Sequence, residues 1–248
     1  MIPKKSLGQN FLIDKNICKK IINLTNLKNK TIIEVGPGTG QLTNEIFLKK
    51  PKKIILIEKD LELSEKLIVK YKNNQIFKIY NQDVLKFDFK SYKNIILISN
   101  LPYNISVKIL YKLIRFRKNF DEIIVMLQKE VAEKLNNKKN KKINKHNFIK
   151  NTFYNFDIMF NVSNNVFYPK PKVSSSVIKI IPKNHKSFNI KKFESFTREL
   201  FQNKRKKISN LNIIKKLRNK NIMINETILD MRAEDLNIKE IKKLFNKY

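Results

Sequence analysis

The chain is short of glycine, cysteine, histidine and acids, and each shortage excludes something. Its 248 residues include four glycines, one cysteine and two histidines, with 21 acids against 53 Lys and Arg. A single cysteine, Cys18, rules out an internal disulfide and fits a reducing cytoplasm, where a buried, unreactive thiol is its ordinary role. His146 and His185 lie in polar, basic stretches with no partner at catalytic or metal-ligand spacing, and both read as incidental. No apolar run approaches the length of about 18 residues that a transmembrane helix needs. The opening Met1-Ile-Pro-Lys-Lys-Ser-Leu-Gly8 lacks the apolar core of a signal peptide, so the expectation is a soluble, cytoplasmic protein without a membrane partner. The scarcity of acids leaves a net charge of +32 and a pI near 10.1, which point to a polyanionic partner. That total is inflated by composition, because only six of the 53 basic residues are Arg and the chain is crowded with Lys, Asn and Ile. A genome poor in G and C imposes that bias on any protein, so where charge clusters says more than how much there is.

There is no internal repeat. Residues Lys4 to Leu12 form a basic, polar arm, and Asp14 can cap a helix from Lys15 to Leu24 whose Ile17, Ile21 and Leu24 recur at helical spacing. Short apolar runs without alternation follow at Ile32–Val35, Ile54–Ile57, Ile76–Tyr80, Ile95–Ile98 and Ile123–Leu127, each trailed by a stretch with helical period. Runs buried on both faces and alternating with helices predict a parallel sheet in an open, doubly wound α/β fold. Two further strands, Asp157–Val162 and Ser176–Ile181, are joined by a connection short enough to favour an antiparallel relation. Beyond Pro182 the period is helical throughout, with helices marked by Ile190, Phe193, Phe196 and Leu200, by Ile208, Leu211, Ile214 and Leu217, and by Ile238, Ile241, Leu244 and Phe245. The expected division is a first domain over 1–183, with the arm at 1–14, and a small all-helical domain over 184–248. The Asn- and Lys-rich tract Asn136–Asn147 reads as a solvated loop.

Three of the four glycines, Gly36, Gly38 and Gly40, sit within Glu34-Val-Gly-Pro-Gly-Thr-Gly40. In a chain that avoids glycine, such a cluster implies a tight turn or a close approach to a ligand. The loop follows a strand and opens a helix at Gln41, and Glu58 ends the next strand twenty positions after Gly38, where its carboxylate can accept from ribose hydroxyls. Asp83 follows the third strand in the same way and can accept from an adenine amino group, with Val84 packed on the ring. The Gly-Lys-Ser/Thr ending of a Walker loop is absent. A dinucleotide site stays open, although a nicotinamide enzyme needs hydride-transfer machinery that is not apparent. The fourth strand ends in Asn100-Leu101-Pro102-Tyr103, which offers an amide, a carbonyl directed by Pro102 and a flat ring. That turn can grip an amino group on a planar base, or it can be a plain strand-ending turn with Tyr103 packing at a helix start. S-adenosylmethionine, an adenosine carrying an amino acid, accounts for loop, acids and turn together.

Taken in order, Leu7-Gly-Gln-Asn-Phe-Leu12, Glu34-Val-Gly-Pro-Gly-Thr-Gly40, Ile57-Glu58, Gln82-Asp83, Asn100-Leu-Pro-Tyr-Asn-Ile-Ser106, Leu127-Gln-Lys-Glu-Val131 and Phe167-Tyr-Pro-Lys-Pro-Lys-Val-Ser-Ser175 resemble the ribosomal RNA adenine N6-dimethyltransferases. The match runs from about Ser6 to Leu244. The opening motif, Leu101 in the turn, Asn203-Lys-Arg-Lys-Lys-Ile-Ser-Asn210 and Arg232-Ala-Glu-Asp-Leu236 look more like the small-subunit, KsgA-type branch than the Erm-type methylases of large-subunit RNA. The resemblance implies a Rossmann-like class I methyltransferase sheet with a helical C-terminal domain, S-adenosylmethionine as methyl donor, and no metal. It implies that Asn10 and Leu12 close over the cofactor with Gln9 beside them, and that Gly36 approaches the methionine portion. Glu58 would hold the ribose and Asp83 the adenine, while Asn100 would contact both cofactor and target. Tyr103 and Phe167 would sandwich the target base, although a Phe before a Pro-x-Pro turn is more often a core plug. One departure lies between Lys141 and Ile149, where the family's Gly-x-Leu-Ser/Thr-like turn is replaced by Asn144-Lys-His-Asn147.

The segment Asn203–Lys220 carries Lys204, Arg205, Lys206, Lys207, Lys215, Lys216, Arg218 and Lys220 and no acid, a density that predicts contact with an RNA backbone. The implied reaction is dimethylation of two adjacent adenosines in the 3′-terminal hairpin loop of small-subunit ribosomal RNA by a monomer acting on a subunit-assembly intermediate. Two other readings compete: an Erm-like methylase of large-subunit RNA, and a non-catalytic RNA-binding assembly or transcription factor. The intact glycine loop, Glu58, Asp83 and Asn100 argue against the latter.

Overall fold

The computed structural model describes the chain except residues 1, 2, 5, 6, 137–141, 146, 147, 149–151, 184–188 and 204. It divides into two compact units, one formed by Met1–Glu133 and Asn155–Pro182, the other by Lys134–Tyr154 and Lys183–Tyr248.

The first unit is built on a seven-stranded sheet. The isoleucine-rich runs form β2 (Thr31–Val35), β3 (Lys53–Glu58), β5 (Ile95–Asn100) and β6 (Phe120–Gln128), while the half-buried Phe77–Asn81 forms β4 at the edge. With β1 a two-residue strand at Phe11–Leu12, β7 (Tyr154–Val162) and β9 (Ser175–Pro182) complete the sheet in the order β4-β3-β2-β5-β6-β9-β7. β2 pairs in parallel with β3 on one side and β5 on the other, so Ile33 stands beside both Ile55 and Leu97. All three side chains are fully buried, as burial on both sheet faces requires. β9 runs antiparallel to β6.

Helices α1 (Lys15–Ile22), α2 (Gln41–Leu48), α3 (Leu61–Tyr71) and α4 (Ser106–Arg115) follow β1, β2, β3 and β5, and α5 (Lys129–Asn136) carries the chain out of the unit after β6. Asp14 caps α1 by accepting from the Asn16 and Ile17 amides, and Asp60 caps α3 through the Glu62 amide. α2 starts instead at Gly40, with φ of 80° and no side-chain cap, so its first amides are left to the loop and whatever binds there. The end of the arm is a strand: Phe11–Leu12 pair antiparallel with β8 (Phe167–Tyr168), setting Leu12 opposite Phe167 and Phe11 opposite Tyr168.

The second unit is helical, with α6 (Ile190–Phe201), α7 (Asn212–Asn219) and α8 (Ile238–Lys247). Asn189 caps α6, and Asn237 with Glu240 forms a reciprocal capping box on α8. Its core is aromatic: Phe193 lies 4.8 Å from Phe153, 5.4 Å from Phe148 and 5.5 Å from Phe245, centroid to centroid. Phe148 and Phe153 bring Lys134–Tyr154 into this unit, whereas a single boundary at 183 would leave that segment with the sheet. The Asn-Lys-His-Asn stretch is described at Asn144, whose carbonyl accepts from the Phe148 amide at 3.0 Å, and at Lys145; His146, Asn147 and His185 lie outside the described residues.

Candidate active site

Chain order in the sheet reverses between β2 and β5, and such a switch point opens a crevice at the carboxyl ends of the strands. The pocket lies there. It is lined by the arm from Leu7 to Leu12, the glycine loop, Glu58 and Lys59 after β3, Gln82 to Val84 after β4, and Asn100 to Ile105 after β5. Gln9, Asn10, Leu12, Gly36, Gly38, Glu58, Asp83, Val84, Asn100, Leu101, Pro102 and Tyr103 therefore share one cavity.

The glycine loop is held tight. Gly36 and Gly38 have φ of 62° and 57°, a region costly for other residues. A Cβ on Gly38 would sit 2.8 Å from Cδ1 of Phe11, so the arm lies directly on the loop. Beneath it are two buried acids. Glu58 Oε2 accepts from the Gly38 amide at 3.1 Å and Oε1 from the Asp60 amide at 2.9 Å. Glu34 Oε2 accepts from Thr43 Oγ1 at 2.6 Å, tying the end of β2 to α2 across the loop. Burial raises the pKa of Glu58 and pushes Glu34 up to about 8. Asp83 differs: partial burial would raise it, but the Leu85 amide at 2.8 Å and the Lys59 ammonium at 3.0 Å outweigh that and hold it low.

At the other end of the pocket, Asn100 Nδ2 donates to the Asn10 carbonyl at 2.9 Å, while Oδ1 is buried and has no hydrogen-bond partner among the described residues. A carbonyl can only accept, so this contact fixes which end of the amide is the donor. A buried, unsatisfied acceptor costs roughly 1–3 kcal/mol, the kind of debt a ligand N–H relieves. The Pro102 carbonyl closes the turn by accepting from the Ile105 amide at 3.2 Å, leaving its second lone pair. Leu101 is fully buried and its amide donates to the Met126 carbonyl. The half-buried Tyr103 ring is tethered through its hydroxyl to Ser175 Oγ at 2.5 Å. The β5 end is tied to the β2 end by Ser99 Oγ, which donates to the Val35 carbonyl.

Phe167 is the exception among the sequence-based assignments. Its side chain is 3% exposed, belongs to the core beside Leu12, and is not on the pocket wall. The reason is register: the β1–β8 ladder turns Leu12 and Phe167 toward the core and leaves Tyr168 59% exposed. Several contributors escaped the sequence reading: Asp60, Lys59, Thr43 and Ser175. Only Ser175, at the close of the Val-Ser-Ser motif, left a visible signal.

The cationic segment is partly neutralised. Arg205, Lys206 and Lys207 are exposed and Lys204 lies outside the described residues. Lys207 pairs with Asp230 at 2.9 Å and Lys216 with Glu199 at 2.7 Å, acids that sit outside the segment in sequence. Cys18 is buried and its thiol is pushed up to about 12 by burial, as an inert core residue should be. Among the described residues, no helix is long and apolar enough to cross a membrane.

Residues 3–248 match the family model described as ribosomal RNA adenine dimethylase. The chain is 37% identical over 246 residues to the ribosomal RNA small subunit methyltransferase A of Hydrogenobaculum sp., covering 98% of this chain and 92% of that one. It is 38% identical over 253 residues to the protein of the same name from Francisella tularensis subsp. novicida, covering 98% and 96%. Among solved structures, a dimethyladenosine transferase from Plasmodium falciparum superposes with a TM-score of 0.78 at 26% identity, covering 96% of this chain and 98% of that one. The 23S rRNA methyltransferase ErmE superposes at 0.68 with 16% identity over the same shares, which establishes a common fold and nothing further. On the family match over nearly its whole length and the identity to these relatives, the chain belongs to the ribosomal RNA adenine dimethylase family.

Proposed function

We propose that this chain uses S-adenosylmethionine to dimethylate N6 of two adjacent adenosines in the 3′-terminal hairpin loop of small-subunit ribosomal RNA, acting in the cytoplasm as a monomer on a subunit-assembly intermediate. The observation that carries the reading is the buried Oδ1 of Asn100, an acceptor on the pocket wall with no hydrogen-bond partner among the described residues.

The residues present suit the donor. Glu58 and Glu34 are acids whose burial penalises their charge, and a cation entering the pocket relieves that penalty. Glu58 would hold the ribose, Asp83 and Val84 the adenine, and the Gly36 backbone the methionine portion, with Gln9, Asn10 and Leu12 over them. When bound, the donor supplies a sulfonium-activated, electrophilic methyl group. The chain supplies position. The exocyclic nitrogen of adenine is a poor nucleophile because its lone pair is delocalised into the ring. In the first transfer Asn100 Oδ1 and the second lone pair of the Pro102 carbonyl accept its two N–H groups, favouring a more tetrahedral nitrogen whose lone pair is aimed. The nitrogen becomes acidic as its new bond forms and releases one of those protons to solvent, and in the second transfer one acceptor holds the single N–H that remains. Well-aligned intramolecular reactions show that about 7–11 kcal/mol of a barrier can come from such placement.

A paired base cannot enter this pocket and has to be unpaired or flipped out. Tyr103, with its hydroxyl held by Ser175, is the stacking floor, and Phe167 supports from the core rather than from the wall. RNA backbone contact falls to the helical part of the chain, with Arg205 and Lys206 the strongest candidates because Lys207 is already paired with Asp230. The test is incubation with labelled S-adenosylmethionine and unmethylated small or large subunits, followed by mapping of the modified base. Dimethylated adenosines near the 3′ end of small-subunit RNA are expected; label confined to large-subunit RNA would overturn the reading in favour of an Erm-like activity.

A further inference from the structure

The arm is fastened to the pocket at points remote from one another in sequence. Lys4 Nζ donates to Asp60 Oδ1 and Gln9 Nε2 to Asp60 Oδ2, both at 2.8 Å, and the Lys4 amide donates to Gln9 Oε1 at 2.7 Å. Asp60 is 4% exposed, so its two oxygens are committed to the arm and to the start of α3 rather than to water. Next to Gln9, Gly8 lies so close to the Asn104 side chain that a Cβ there would approach its Oδ1 to 3.0 Å. One residue further along, the Asn10 carbonyl takes the Asn100 amide proton. The far end of the arm is pinned by the Ile13 amide, which donates to the Val166 carbonyl at 2.9 Å.

A primary amide is a donor at one end and an acceptor at the other, and its terminal torsion has two nearly equivalent settings. Nothing in the shape of Asn100 decides which end faces the pocket. The Asn10 carbonyl decides it, and that carbonyl stays in place only while the arm does. We propose that Asp60 is a positioning residue for methyl transfer: by holding Lys4 and Gln9 it tethers the arm, whose Asn10 carbonyl sets the orientation of the Asn100 amide. The catalytic part of this inference rests on the proposed reaction, whereas the tether itself does not. The Asp60 amide also donates to Glu58 Oε1, so one residue is linked to Glu58 directly and to Asn100 through the arm.

The test uses the full chain with two changes made separately. Asp60→Ser is too short to reach the arm yet can still cap α3, and the double variant Lys4→Met/Gln9→Leu leaves Asp60 and the α3 cap intact. The first readout is independent of turnover: hydrogen exchange of the arm amides and the NMR signals of the Asn100 side-chain amide, with melting temperature as the control for fold. Faster exchange in the arm and loss of protection at Asn100 Nδ2 are expected in both variants. The second is kcat at saturating S-adenosylmethionine, expected to fall by about tenfold, since small misplacements at a reacting centre carry large rate penalties. A role limited to cofactor binding would move KM and leave that plateau. Unchanged exchange in both variants, or released arms with kcat at the wild-type plateau, would overturn the proposal. Wild-type chain that methylates neither subunit would instead sink the functional reading, and the exchange measurements would still decide the tether.

Discussion

The two halves of the pocket, assigned under the proposed function to cofactor and to target, are built on opposite plans. In the cofactor half every acid already has partners: Glu58 takes two backbone amides, and Asp83 takes the Leu85 amide and Lys59. In the target half the Asn100 amide is fixed at its nitrogen and left wanting at its oxygen. The first half is held in shape by the protein itself, whereas the second keeps an acceptor open among the described residues. Binding in the first half should therefore be robust to small changes, and chemistry in the second should be sensitive to them.

The sharpest way to break the contrast is Asn100→Ala. By analogy with loss of a single preorganised group at a reacting centre, methyl transfer should fall by about 10²–10³-fold, with a smaller change in S-adenosylmethionine affinity; single-turnover transfer beside calorimetry reads both, and retained turnover would remove Asn100 from the target half. Glu58→Ala should weaken cofactor binding by about 1.5–3 kcal/mol, the usual worth of hydrogen bonds to a charged group, and an unchanged dissociation constant would end the ribose assignment. Tyr103→Ala should bind S-adenosylmethionine as wild type yet lose about 1–3 kcal/mol of transfer efficiency, the worth of stacking one base on an aromatic ring. Full efficiency would show that the ring only packs. The smallest effect belongs to Lys59→Met. Its ion pair with Asp83 is half open to solvent, so at about 0–1 kcal/mol cofactor affinity should move no more than about fivefold; a larger loss in titration would place Lys59 among the binding residues.

Much of this could be read from the chain before its fold was known, and the limits have physical causes. The apolar runs announced the strands because strands buried on both faces leave no polar alternation to disguise them, and the three glycines announced the loop because little else in the chain could turn there. The two-residue ladder between Phe11–Leu12 and Phe167–Tyr168 carries no periodic signal, so only its register decided between the core-plug and base-sandwich readings of Phe167. Asp60 is separated from Lys4 by 56 positions and Tyr103 from Ser175 by 72, and hydrogen bonds at such distances leave no local pattern. The cationic segment looked free of acids because Asp230 and Glu199, which neutralise part of it, come from outside its span. Likewise Lys134–Tyr154 joins the helical unit through Phe148 and Phe153, whose ring partners lie far along the chain.

If Asn100 receives the target base as proposed, its fixed amide also bears on which base the pocket accepts. With Nδ2 committed to the Asn10 carbonyl, the pocket presents oxygen at that point and cannot offer a proton. Guanine and hypoxanthine carry a carbonyl where adenine carries its amino group, so either would bring oxygen against oxygen in a place shielded from water. Sites that require a hydrogen bond from their ligand reject analogues lacking the donor by several orders of magnitude. On the proposed function, this backbone carbonyl in the N-terminal arm would act as a proofreader: an adenosine deaminated to inosine at the target position would be refused on electrostatic grounds.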